Sequence, residues 1–80
     1  MSEADLPDDL EDLGPSAKFV YKTLAYEGQL ARSEIVEETL LPGRTVGYSV
    51  RKLLEADLIA AEPDTSHPQR SVYYIPDDGQ

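Results

Sequence analysis

The segment that most constrains this chain is 42–56. Its apolar residues Val46, Val50, Leu53 and Leu54 recur at spacings of four, seven and eight from the first. At about 100° per residue they fall on one narrow face of a helix. The opposite face carries Arg44, Thr45, Tyr48, Arg51, Lys52 and Glu55. Two short strand candidates follow, Leu58–Glu62 and Ser71–Ile75. The turn-rich stretch Pro63-Asp64-Thr65-Ser66-His67-Pro68-Gln69-Arg70 separates them, so they read as a hairpin with a polar tip. A one-sided helix feeding directly into a hairpin has to pack that face on something upstream.

Upstream lie two more helical patterns. Pro15-Ser16 opens one that runs to about Glu27, with Ala17, Val20, Tyr21 and Leu24 on one face and Phe19 and Tyr26 outside it. Gly28 ends it, and Gln29-Leu30 is a short extended piece. The next helix spans about Arg32 to Leu40, with Ile35, Val36 and Thr39 inward and Glu37 and Glu38 toward water. Glu34 stands where a capping-box acid belongs, but Ala31 at the cap has no side-chain acceptor. The short break Leu40-Leu41-Pro42-Gly43 keeps the following helix near and steeply angled. The expected class is α+β and mostly helical. Its three helices and two- or three-stranded β-wing come in the order of a winged helix-turn-helix. The expected divisions are an N-terminal acidic tail or short helix over 1–14, the domain over 15–76, and a disordered C-terminal tail over 77–80.

Eighty residues suffice for one small domain, which buries only roughly 60% of the surface of its unfolded chain. The absence of cysteine excludes disulfides and thiolate metal sites. A single histidine, His67, cannot build a zinc site, so no metal or other cofactor is expected. Apolar runs are far too short to span a membrane, and no signal peptide opens the chain. The expected setting is soluble and cytoplasmic. The acid pairs Asp8-Asp9, Glu11-Asp12 and Asp77-Asp78 lie on the two ends and Glu37-Glu38 on a solvated face. None makes a pocketed pair with split pKa values. With no nucleophile elbow, P-loop or dinucleotide fingerprint, the chain is read as a non-enzyme.

The net charge of −9 first argues against a polyanionic partner. Its distribution reverses that reading. Residues 1–15 hold six acids and no base, and residues 76–80 hold two acids and no base. The middle, 16–75, holds eight acids against seven bases, a balance of −1.

The run Leu41-Pro42-Gly43-Arg44-Thr45-Val46-Gly47-Tyr48-Ser49-Val50-Arg51-Lys52-Leu53-Leu54-Glu55-Ala56-Asp57-Leu58-Ile59 resembles the recognition helix and first wing strand of MarR-type regulators. The stretch from Ser16 to Leu24 resembles their first DNA-domain helix. The resemblance covers about residues 13–75 and is greatest to the small acidic MarR-like proteins of halophilic archaea. It implies a transcription regulator that binds duplex DNA sequence-specifically, usually as a homodimer. Two departures stand out. Gly47 occupies a position that is often basic in such helices and permits close approach of another backbone. The chain also ends soon after the wing, without the terminal helices through which such proteins dimerise. Any dimer is then expected to use Leu6, Leu10, Leu13, Phe19 or Tyr26.

On this reading Arg44 and Arg51 read base edges in the major groove with Tyr48 between them. Thr45 reaches a phosphate or a thymine methyl, and Lys52 a flanking phosphate. The bland alternative for this face is a solvated surface with Arg51 paired to Glu55. At the wing, Ser66, His67, Gln69 and Arg70 are the candidate contacts to flanking DNA. Arg70 alternatively pairs with Asp64 and fixes the hairpin. Of Tyr73 and Tyr74, neighbours on a strand, one should face the core and the other outward. A second reading makes the domain a protein-interaction module in a transcription or replication complex, with Phe19, Tyr26, Tyr73 or Tyr74 as the contact patch. A third reading has residues 1–13 fold over the basic helix when no DNA is present.

Overall fold

A computed structural model of the chain describes residues 13–76. The acid-rich stretch before Leu13, with Leu6 and Leu10, and residues 77–80 lie outside them. Three helices and three strands follow in the order α1 (Pro15–Glu27), β1 (Gln29–Ala31), α2 (Arg32–Thr39), α3 (Gly43–Glu55), β2 (Ala60–Pro63) and β3 (Ser71–Tyr74). The strands form one antiparallel sheet in the order β1-β3-β2. Gln29 pairs with Tyr74 on one side of β3 and Ala60 with Tyr74 on the other. The short extended piece after α1 is thus the third strand of the wing sheet. The architecture is a winged helix-turn-helix.

Each apolar face went where its period directed it. Ala17, Val20 and Leu24 of α1, Ile35 of α2, and Val46, Val50 and Leu53 of α3 are buried together with Ile59. Tyr21, Val36 and Leu54 pack on this core half-buried. At the end of α3 the Leu58 amide donates to the Leu53 carbonyl and the Asp57 amide to that of Leu54. Asp57 has φ of 61°. These are the paired bonds of a Schellman cap, and Leu58 and Leu53 both belong to the core side. The cap turns the chain from α3 into the wing and closes the helix at Glu55, one residue short of the expected end.

The helix-turn-helix connection is built by Thr39. Its buried hydroxyl donates to the Ile35 carbonyl at 2.7 Å and accepts from the Leu41 amide at 3.2 Å. Leu40 takes the left-handed conformation, φ 61° and ψ 19°, and is 86% exposed. At the start of α2 the Glu34 carboxylate accepts the Ala31 amide at 2.8 Å. This is half of a capping box, since alanine offers no oxygen for the return bond.

Two expectations change. Neither Tyr73 nor Tyr74 is exposed: Tyr73 packs on the core and Tyr74 is half-buried. β3 is the central strand, and the residues paired with each tyrosine on the two neighbouring strands, Leu30 and Ala61 for Tyr73 and Gln29 and Ala60 for Tyr74, flank it on its own face. Gly47 does admit a close approach, but by a side chain. A Cβ there would stand 2.7 Å from Nη2 of Arg32 and 3.0 Å from its Cζ. Arg32 lies over α3 at that point and donates to the Gly43 carbonyl at 3.1 Å. Gly47→Ala should raise the melting temperature slightly, because alanine is about 1 kcal/mol better in a helix and the guanidinium end can swing away. The Arg32–Gly43 bond is lost in exchange. Arg32→Ala alone should change stability by less than about 1 kcal/mol. A fall of several degrees in Gly47→Ala would mean that Arg32 is held rigidly.

Candidate nucleic-acid interface

The core face of α3 fixes where its other face points. With Val46, Val50 and Leu53 inward, Arg44, Tyr48 and Arg51 recur at i, i+4 and i+7 on the outward stripe. Arg44 and Arg51 are exposed, and Tyr48 is 59% exposed. Thr45 and Lys52 stand half-buried beside them. The Lys52 ammonium lies 5.4 Å from the centre of the Tyr48 ring. This cation–π contact holds Lys52 along the stripe rather than toward a flank. Arg51 Nε lies 3.6 Å from Glu55 Oε2 with both side chains largely exposed. A pair of that kind is worth a few tenths of a kcal/mol and yields readily to a better acceptor. The stripe holds three bases and one acid, a local excess of positive charge on a strongly acidic chain.

The wing tip, 64–70, is organised by Asp64. Its Oδ1 accepts the Ser66 amide at 2.9 Å. Its Oδ2 accepts both Nε and Nη2 of Arg70, at 3.1 and 2.9 Å. Backbone bonds from the Asp64 amide to the Arg70 carbonyl, and from the Arg70 amide to the His67 carbonyl, close the loop. Of the two roles open to Arg70, pairing with Asp64 is the one present. Ser66, His67 and Gln69 are exposed around this loop.

The Ser66 amide, and then the Arg70 guanidinium, hold the Asp64 carboxyl below its ordinary pKa. A depressed carboxylate contributes order that is complete above the unfolded pKa, about 3.9, and is lost as pH falls through the folded value. The tip should therefore keep one conformation down to about pH 4 and loosen below it. An NMR titration of the Ser66 amide and Arg70 Nε–H checks this. A titration of both signals centred at the ordinary carboxylate value of about 3.9 would show that the tip does not hold Asp64.

Arg32 was missed at the level of sequence. It begins α2, and nothing in its spacing ties it to α3. It also borders a depression with Val36, Arg70 and Tyr73, so it bridges the helix-turn-helix and the base of the wing. The only cue was Gly47, whose missing side chain leaves the space that Arg32 fills.

The candidate association residues separate. Leu13 packs on the chain's own core and is half-buried, which leaves little of it for a partner. Phe19 and Tyr26 are 46% and 88% exposed. They lie seven residues apart on one face of α1 and border a shallow groove with Lys22, Thr23 and Glu38. Leu6 and Leu10 lie outside the described residues. Among those residues no group of histidine and carboxylate side chains is placed to hold a metal, and no helix is long and apolar enough to cross a membrane.

Several solved structures share this fold. YusO from Bacillus subtilis superposes with a TM-score of 0.75 at 28% identity, over 86% of this chain and 50% of its own. BpsR of Bordetella bronchiseptica, whose DNA binding is regulated by 6-hydroxynicotinic acid, gives 0.74 at 22% identity, over 82% and 48%. A MarR family transcriptional regulator from Silicibacter pomeroyi gives 0.74 at 16% identity, over 86% and 46%. The chain spans about half the length of these structures, and its fold is that of a MarR-like winged-helix domain. No protein-family model and no curated protein matches the sequence.

Proposed function

We propose that this domain is a transcription regulator that binds duplex DNA, with α3 in the major groove. The outward stripe of Arg44, Tyr48, Arg51 and Lys52 carries this reading. It places three of the chain's seven bases on the helix that a winged helix-turn-helix offers to a groove. Arg44 and Arg51 suit guanine edges, which take two parallel hydrogen bonds from a guanidinium. Thr45 suits a phosphate or a thymine methyl, and Lys52 a phosphate. Ser66, His67 and Gln69 at the tip would meet flanking backbone, and Arg70 would join them only by leaving Asp64. The acidic excess elsewhere fits a salt-rich cytoplasm, in which recognition leans on hydrogen bonds and shape.

The test is a titration of duplex fragments with the full chain across a salt series. Three or four phosphate contacts give a log–log slope of about −3 to −4. Absence of duplex binding even at about 50 mM salt, where attraction is least screened, would remove the proposal.

The exposed Phe19 and Tyr26 favour a second, compatible reading: this face of α1 is a protein-contact surface, most simply with another copy. Sedimentation should then show a dimer that Tyr26→Glu dissociates. A monomer at every concentration would leave DNA binding to a single domain.

A further inference from the structure

The N-terminus of α1 and the outward side of α3 enclose a groove of about 420 Å³. Leu13, Pro15 and Tyr48 give it apolar walls, and Arg44, Thr45 and Ser49 supply its polar groups. Three observations bear on what fills it. The Ser49 hydroxyl is buried and has no hydrogen-bond partner among the described residues. The first turn of α1 has neither an acidic residue nor a side-chain cap, because Gly14, at φ 99° and ψ 167°, precedes it. That backbone region is essentially closed to other residues. The described chain also begins at the groove: Leu13 is one of its walls, together with Tyr48 and Arg44.

The chain ahead of Leu13 has a matching composition. Residues 1–12 carry Glu3, Asp5, Asp8, Asp9, Glu11 and Asp12 with no base, and place Leu6 and Leu10 at i and i+4 ahead of Leu13. α3, which Leu13 meets near its start, is about 20 Å long, thirteen residues at 1.5 Å each. Twelve residues span up to about 40 Å when extended, so the acids can reach Arg51 and Lys52 as well as Arg44.

We propose that residues 1–12 dock in this groove and along the α3 stripe, the leucines continuing the apolar wall from Leu13 and the carboxylates covering Arg44, Arg51 and Lys52. The segment then competes with a polyanion for the same side chains. This regulation rests on the DNA reading above, but the docking itself does not. Net repulsion between an acidic chain and DNA is a different effect, and charge-preserving changes separate the two.

The full chain has no cysteine, so Ser2→Cys provides a single position for a nitroxide. Docking predicts attenuated amide signals at Arg44, Tyr48 and Arg51 at about 50 mM salt and recovery near 1 M, where the screening length falls to about 3 Å. The wing-tip amide of His67 serves as the distant reference. Leu6→Ser/Leu10→Ser leaves the net charge at −9 and should cut the attenuation at least about threefold. The same variant should bind duplex DNA about tenfold more tightly at low salt if the docked state is favoured about tenfold. Attenuation equal in both chains overturns the proposal, as does attenuation that disappears on dilution, which would assign the groove to a second copy. Attenuation that responds to the leucines in a chain that binds no duplex keeps the docking and removes the DNA reading. Duplex binding that is unchanged by the leucine substitutions keeps the DNA reading and removes the competition.

Discussion

Leu53→Ala should lower stability by about 2–5 kcal/mol, the range for truncating a buried leucine to alanine. Leu53 is fully buried in the core of α3, and its carbonyl also receives the Leu58 amide that turns the chain into β2. An 80-residue domain holds only about 4–12 kcal/mol in total. The expected fall in melting temperature is on the order of 10–30 °C, with wing and helices lost together. Leu40→Ala is the contrast. Leu40 is 86% exposed, and its truncation should stay within about 0.5 kcal/mol. Circular dichroism melts of the two variants compare the same chemical change at opposite ends of the burial scale. Similar losses for both would place the core elsewhere than the α1–α2–α3 cluster.

Arg44→Ala/Arg51→Ala should weaken duplex binding on the order of 10²- to 10⁴-fold without altering the melt. Each arginine read against a base edge is worth about 1–3 kcal/mol of discrimination. The two Cα atoms lie about 10 Å apart along α3, far enough for their effects to add within a few tenths of a kcal/mol. Both side chains are exposed, and among the described residues Arg51 makes only its weak pair with Glu55. Specificity should relax at two separate base steps. Lys52→Ala should act differently, weakening every sequence alike and reducing the salt slope by about 1. Glu55→Gln should tighten binding modestly, because it removes the one acid on the stripe. Equal losses on all sequences for the two arginines would leave them as phosphate contacts only. No loss at all would shift the function to the exposed Phe19 and Tyr26 face.

The helices were readable because α3 has a clear apolar period, Ala17, Val20 and Leu24 share one side of α1, and Ile35, Val36 and Thr39 mark the inward side of α2. Val46, Val50 and Leu53 determine which way α3 faces, and that alone turns Arg44, Tyr48 and Arg51 outward. The helix ends moved by one residue where capping geometry decided them, as at the Schellman turn after Glu55. The first wing strand, β2, begins at Ala60 rather than Leu58 because that turn uses Asp57 and Leu58. The tyrosine pair was misjudged for a different reason. Alternation along a strand separates two faces, but it does not say whether either is covered. Tyr73 lies on the core, and Tyr74 is flanked on its own face by Gln29 and Ala60 of the neighbouring strands.

The sequence by itself determined the element order, the apolar residues that each helix turns inward and the charge carried by the outward face of α3; the burial of Ser49 it did not. Those properties follow from helical and strand periods and from the sign of side chains, which need no knowledge of distant neighbours. Only the tertiary structure decided that Gln29–Ala31 joins the wing as its third strand, that Arg32 fills the space over Gly47, and that Arg70 is held by Asp64 rather than free. It also brought Leu13 against α3, some thirty residues away, to wall the groove there. Each of these joins positions far apart in the chain or resolves a competition between partners. Local periodicity is silent on both, because packing and hydrogen-bond geometry in three dimensions select the partner.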